Sequence, residues 1–158
     1  AVRAAVAAAL AEDLTPLGDL SAALVPADAT IDAVFASRAA GVLAGTACAT
    51  EAFAQLDPAV TVAWSHHDGE RIDAGTVVAT VTGPHAPVLT GERTALNFLC
   101  HLSGIATLTR RFADAAAEGG DARIWDTRKT TPGLRSLAWL RWRRASQCRS
   151  LTRRARLD

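Results

Sequence analysis

The chain has 158 residues, 49% of them apolar and 21% charged, with a net charge of +1, which excludes a disordered polymer. That length bounds the molecule to one ordinary domain, or a small domain with part of a second. Cys48, Cys100 and Cys148 are widely scattered with no CxxC spacing, which argues against a disulfide framework or structural zinc and points to a reducing, cytoplasmic setting.

The opening "AVRAAVAAAL" predicts an amphipathic helix over residues 1–12 rather than a signal peptide. It runs straight into Glu12 and Asp13, with no membrane-length apolar stretch behind it. The turn-rich "TPLGDLS" ends that helix through Pro16 and Gly18, and the Asp19 carboxylate is expected to cap local backbone donors. "TIDAVFASR" alternates as a strand with Ile31, Ala33 and Phe35 on one face. After the punctuation "GVLAG", residues 46–56 read as a helix stopped by Asp57-Pro58. "VTVAWSHH" and "TVVATVTG" are two β-rich runs around a connection containing "DGER" and Gly75. His66, His67 and Asp68 resemble a metal cluster, yet strand alternation sends the two imidazoles to opposite faces, so a polar turn is the expectation.

Pro84 and Pro87 suggest an extended link into "LTGERTALNFLCHLSGIATLTRRFADAAAE", the longest helical pattern in the chain. Leu96, Phe98, Leu99, Leu102, Ile105, Leu108 and Phe112 recur at mixed three- and four-residue spacing, as a well-buried helix requires. Gly104 predicts a bend, or two consecutive helices. Cys100 and His101 are neighbours that diverge by about 100° on a helix, so they do not form a nucleophile and base. Gly119-Gly120 closes the region. "ARIW" is then a short apolar run suited to a buried strand, and "DTRKTTPGLRSL" a loop leading into a helix. Strand, polar loop and helix open a β/α unit, in which chemistry gathers at the strand's carboxyl end.

Lys129 is the single lysine beside sixteen arginines, and it directly follows Arg128. Two adjacent cations at a strand end repel each other unless an anion or carboxylate lies between them, and Asp126 or a bound anion could serve. A guanidinium forks onto a carboxylate or phosphate, whereas an ammonium is a compact charge that follows a group changing shape. Thr127, Thr130 and Thr131 add hydroxyl donors to the same loop. Arg93 stands early on the long helix beside Glu92, which points to a different side. Position alone makes it a surface residue unless something outside the helix needs it.

The net charge conceals an asymmetry. Residues 138–158 carry seven arginines and one aspartate, net +6, while the first 137 carry ten basic and fifteen acidic groups, net −5. Trp139 and Trp142 fall in the basic stretch.

Taken together, "GDLS", "RAAGVLAGTACATEAF", "DGERIDAGTVVATVTG", "GERTALNFLCHLSGIATLTRRF" and "DTRKTTPGLRSL" resemble the amino-terminal half of the quinolinate phosphoribosyltransferase family, over residues 11–137. Members convert quinolinate and phosphoribosyl pyrophosphate to nicotinate mononucleotide, carbon dioxide and pyrophosphate, with Mg²⁺. The resemblance implies an α+β fold: an amino-terminal α/β sandwich domain followed by the start of a type II phosphoribosyltransferase α/β barrel. Residues 1–118 would form the sandwich domain with its long helices, and 119–137 the first strand and loop of the barrel. It also implies a homodimer whose active site lies between one subunit's barrel and the other's amino-terminal domain.

By the same resemblance, Arg93 would reach quinolinate across that interface. Arg128 would hold its carboxylates, Lys129 would bind the phosphoribosyl group as the catalytic cation, and Thr127 would join the pocket. Beyond Leu137 the family continues with a Lys/Glu/Ala-rich helix, an Asn-His-Arg motif and a Lys-Asp-Asn segment. Here "AWLRWRRASQCRSLTRRARLD" stands instead, with the charge jump at its start. Residues 138–158 are therefore expected to reflect a frameshift or a wrongly drawn gene end, and the chain to be inactive alone. The DNA downstream of the Leu137 codon decides that point. With no methionine present, the first residue is expected not to be the original start.

Three other readings compete. "DGERIDAGTVVATVTG" also resembles half of a biotinyl or lipoyl carrier motif, but the sole lysine lies far from it. A second reading is another type II phosphoribosyltransferase relative. The third is a non-catalytic fragment that binds nucleic acid through its arginine-rich tail with Trp139 and Trp142, which would show a steep salt dependence.

Overall fold

A computed structural model describes residues 1–120, 124, 125, 129–135 and 137. The first helix, α1, spans Val2–Leu14. Val6 and Leu10 are buried on it, and Val2, Ala5 and Ala9 pack beside them, so the inward stripe follows the three- and four-residue spacing of the sequence. A short 3-10 helix at Ala22–Leu24 leads to strand β1, Thr30–Ala36, whose inward residues are Ile31, Ala33 and Phe35. Helix α2 spans Thr46–Leu56, as its sequence predicts.

Three antiparallel strands form the main sheet in the order β1, β5, β3, with β3 at Thr61–Trp64 and β5 at Val77–Pro84. Register runs from Thr30 opposite Pro84 to Ala36 opposite Val77, with an irregularity between Phe35 and Ala36. A second ribbon pairs β2, Gly41–Val42, with β4, Arg71–Ile72. Neither strand is legible in sequence, because two residues are too short to show alternation.

The last helix, α3, runs unbroken from His85 to Glu118 and corrects two expectations. The Pro84–Pro87 segment is not an extended link. Pro87 is the third residue of α3, where a proline's missing N–H is no loss, and the His85 N–H donates to the Ala29 carbonyl at 2.8 Å. Nor does Gly104 divide the helix into two. It lies on the exposed side, while Leu102 and Ala106 to either side are buried, and their packing holds the helical course. Among the described residues, no helix is long and apolar enough to cross a membrane.

Ser103 and Thr107 tie α3 to the β2 ribbon. The Val42 N–H donates to Thr107 Oγ1 at 2.9 Å. Ser103 Oγ accepts the Ala44 N–H at 2.9 Å and donates to the Ala44 carbonyl at 3.1 Å. Side chains one turn apart thus serve the strand edge that β4 does not cover. On the other side, α3 meets α2 where Gly91 faces Phe53. A Cβ on Gly91 would stand 2.6 Å from Phe53 Cδ1, and that ring is 1% exposed.

The buried core joins these layers through Phe35, Phe53, Val81, Phe98, Leu99 and Leu102, and Leu137 joins it from the chain's last described segment. The predicted strand over residues 122–125 falls partly outside the described residues. The two described, Ile124 and Trp125, are not in a strand, and Trp125 is 44% exposed. A parallel barrel strand needs neighbours to pair with, and among the described residues no strand flanks it.

Two glycine substitutions on α3 should act in opposite directions. Gly91→Ala should lower stability by about 1 kcal/mol or more through overpacking against Phe53, beyond its gain in helix propensity. A Cβ on Gly104 meets nothing within 4 Å, so Gly104→Ala should raise stability by about 0.5–1 kcal/mol. Urea unfolding of both variants checks this, and equal shifts of the same sign would contradict the packing described.

Candidate active-site elements

Arg93 lies two turns into α3, where its neighbour Gly91 is buried and its own side chain is 74% exposed. Glu92, adjacent in sequence, is not its partner. The Arg93 Nη1 donates instead to Asp13 Oδ1 at 2.9 Å, from the last turn of α1. The outside partner that the helix position called for is thus found in this same chain, and Asp13 is the residue sequence reasoning missed. Its signal was present. Asp13 falls three residues after Leu10, on the inward row of α1, where a carboxylate needs a cation.

Asp19 stands in the same neighbourhood and does cap its own loop, as expected. The Ser21 and Ala22 N–H groups donate to its Oδ1 at 2.9 and 3.0 Å. Its carboxyl is held below the ordinary 3.8, chiefly by the Ala22 N–H. Partial burial opposes that shift, and the Thr90 hydroxyl, the Ser21 N–H and, least of all, the Arg93 charge add to it. A folded-state carboxyl that titrates below its unfolded value stabilises the fold above about pH 4. That contribution is lost as pH falls through the folded value.

Lys129 is exposed at the head of the loop that follows α3. The expected Thr-Thr-Pro-Gly turn is present: Leu134 N–H donates to the Thr131 carbonyl at 3.1 Å, and Gly133 has φ +79°, as position three of a type II turn requires. Arg135 Nε donates to Thr130 Oγ1 at 3.3 Å, and Leu137, 1% exposed, anchors the far end of the loop in the core. Asp126, Thr127 and Arg128 lie outside the described residues, as does the arginine-rich stretch 138–158.

Arg93 and Lys129 are joined by the rest of α3 and an eleven-residue link. From Arg93 to the end of α3 at Glu118 is about 38 Å of helix at about 1.5 Å per residue. Eleven further residues reach Lys129 and span at most about 36–40 Å when fully extended.

The other polar candidates are committed elsewhere. Asp68 Oδ1 accepts the Thr46 N–H at 3.1 Å at the start of α2, so the His66–Asp68 stretch is a turn with a capping role. Among the described residues, no group of three His, Cys, Asp or Glu side chains could hold a metal ion. Cys48 is buried and Cys100 exposed, and neither is in a disulfide among the described residues. Asp114 bridges Arg71 and Arg110 on the surface, and the two guanidinium groups outweigh desolvation to hold its carboxyl below the usual range.

Comparison with known proteins adds the following. The family model described as quinolinate phosphoribosyl transferase, N-terminal domain, matches residues 19–103, and the corresponding C-terminal domain model matches 105–143. The second match runs six residues past Leu137, where the motif resemblance was expected to stop. The quinolinate phosphoribosyltransferase [decarboxylating] 2a, mitochondrial, of Nicotiana tabacum is 43% identical over 128 residues, covering 80% of this chain and 36% of that protein. The probable nicotinate-nucleotide pyrophosphorylase [carboxylating] of Bacillus subtilis is 40% identical over 120 residues, covering 76% and 41%. Among solved structures, the nicotinate-nucleotide pyrophosphorylase of Francisella tularensis superposes with a TM-score of 0.88 at 32% identity, over 94% of this chain and 52% of that one. The chain thus spans about half of that solved chain and about two fifths or less of these two curated relatives.

The ordering of contributions at Asp19 is testable by carboxyl NMR titration. Thr90→Val should raise its midpoint more than Arg93→Ala, and the reverse order would contradict the arrangement described.

Proposed function

This chain belongs to the quinolinate phosphoribosyltransferase family, and from that premise we propose that it contributes to the transfer of a phosphoribosyl group to quinolinate in NAD biosynthesis. Quinolinate and phosphoribosyl pyrophosphate become nicotinate mononucleotide, carbon dioxide and pyrophosphate. The pyridine nitrogen forms a bond to the ribose C1 as the bond from C1 to pyrophosphate breaks; the adjacent carboxylate then leaves as carbon dioxide, its bonding pair stays on ring C2, and that carbon takes up a proton from solvent.

The residues take roles that their chemistry suits. Two neighbouring carboxylates on one ring need several fixed cations, and Arg93 and Arg128 supply guanidinium forks for them. Lys129 neutralises charge on the phosphoribosyl donor, and Thr127 adds a hydroxyl to the same pocket. Displacement at an oxocarbenium-like carbon is served mainly by positioning and charge. Mg²⁺ would supply further charge on the pyrophosphate. Among the described residues no group of three His, Cys, Asp or Glu side chains could hold it.

The observation that carries this reading is that the N-terminal domain model covers Arg93 and the C-terminal domain model covers Lys129, combined with the exposure of Arg93. An arginine turned outward on the N-terminal domain suits a site on a second copy. We therefore read the assembly as a homodimer in which Arg93 serves the partner's quinolinate. A cytoplasmic location is part of the same reading, in keeping with three widely scattered cysteines that have no CxxC spacing.

Two assays test it. The 158 residues alone should release little or no pyrophosphate on addition of quinolinate, since the C-terminal domain match covers only residues 105–143. Joined at Leu137 to the remaining barrel of the Bacillus subtilis relative, residues 1–137 should give quinolinate-dependent pyrophosphate release. In that chimera Arg93→Ala should raise the KM for quinolinate by roughly tenfold or more, the range for losing a charge-assisted contact. An unchanged KM would remove Arg93 from the site.

A further inference from the structure

The last turn of a helix is an unfavourable place for a carboxylate, because the backbone carbonyls there already present negative charge. Asp13 occupies that turn of α1 and lies on its inward row, with its side chain only 22% exposed. Both features run against local preference, and a local rule broken in this way marks a residue retained for something else. Its partner is Arg93, through Nη1 at 2.9 Å.

The single bond leaves a particular part of Arg93 available. With Nη1 held, the Nε and Nη2 hydrogens form an edge that carries no bond among the described residues, in a side chain 74% exposed. That edge matches the two oxygens of a carboxylate. The second carboxylate nearby, Asp19, is already occupied by the Ser21 and Ala22 N–H groups, so its charge acts on Arg93 without gripping it.

We propose that Asp13 is a positioning residue for Arg93: it fixes one end of the guanidinium so that the Nε–Nη2 edge is presented outward, ready for a ring carboxylate of the substrate. The inference rests on the reading of Arg93 given above. An exposed ion pair of this kind contributes little to stability. Its larger effect is on binding, where leaving a long side chain to be ordered by the ligand weakens affinity about two- to tenfold. The Asp13 charge also repels an incoming dicarboxylate, but in an exposed site that repulsion is screened over about 10 Å at 0.1 M salt. Positioning is therefore the larger effect, and removing the charge should weaken binding.

The experiment uses the chimera joined at Leu137 described above, labelled with ¹⁵N and observed at the side-chain Nε resonance of Arg93 while quinolinate is added; the protein carrying Asp13 is the reference. In the reference protein, rotation about the Arg93 Cζ–Nε bond should be slow and quinolinate should shift the resonance. In Asp13→Asn the rotation should become fast, and about two- to tenfold more quinolinate should be needed for the same shift, with the thermal midpoint little changed. Asp13→Glu should recover part of both effects. Unchanged rotation and unchanged quinolinate dependence in Asp13→Asn would overturn the inference, as would tighter binding. If quinolinate leaves Arg93 unshifted in the reference protein, the quinolinate reading of Arg93 fails and the proposal with it. A reference shift unaffected by Asp13→Asn removes Asp13 alone.

Discussion

Two hydroxyls on one helix hold the β2 edge in place. Ser103 and Thr107 of α3 bond the backbone of Val42 and Ala44, while β4 covers the other edge of the ribbon. A two-residue strand has too little pairing of its own to persist, so its position depends on the helix. The helix in turn must be continuous, because the two hydroxyls flank Gly104 and act together only if the turn between them is intact. The same helix carries Phe98, Leu99 and Leu102 into the core, and Gly91 against Phe53. Its continuity therefore sets both the packing of α2 and the placement of the ribbon.

That helix also organises the functional residues. Near its start it presents Arg93, steadied by Asp13 from α1, and beyond its end comes the loop with Lys129. The family's N-terminal and C-terminal domain models meet within it, at residues 103 and 105.

Much of the framework was legible because periodicity reports burial. The inward row Ile31, Ala33 and Phe35, the bounds of α2 and the Pro-Gly turn at Thr131–Leu134 follow from alternation, stop signals and turn chemistry. What was missed depended on long-range partners. Gly104 signals a break by propensity, yet burial of Leu102 and Ala106 decides the matter. Pro87 reads as a link until its place in the first turn is known. The β2 and β4 pair is too short to alternate, and Asp13 shows only as a carboxylate on the inward row of α1, with its partner eighty positions away. Arg128 and Thr127 were named from the motif alone, and they lie outside the described residues.

Amide hydrogen exchange along α3 and β2 tests the central claim most directly, because it reads helix continuity residue by residue. One uninterrupted helix predicts protected amides from Ala95 through Thr109, with Ser103, Gly104 and Ile105 as slow as their neighbours and the Val42 and Ala44 amides protected alongside them. An island of fast exchange at Gly104, with Val42 and Ala44 unprotected, would show that the helix breaks there and that the ribbon is held by something else.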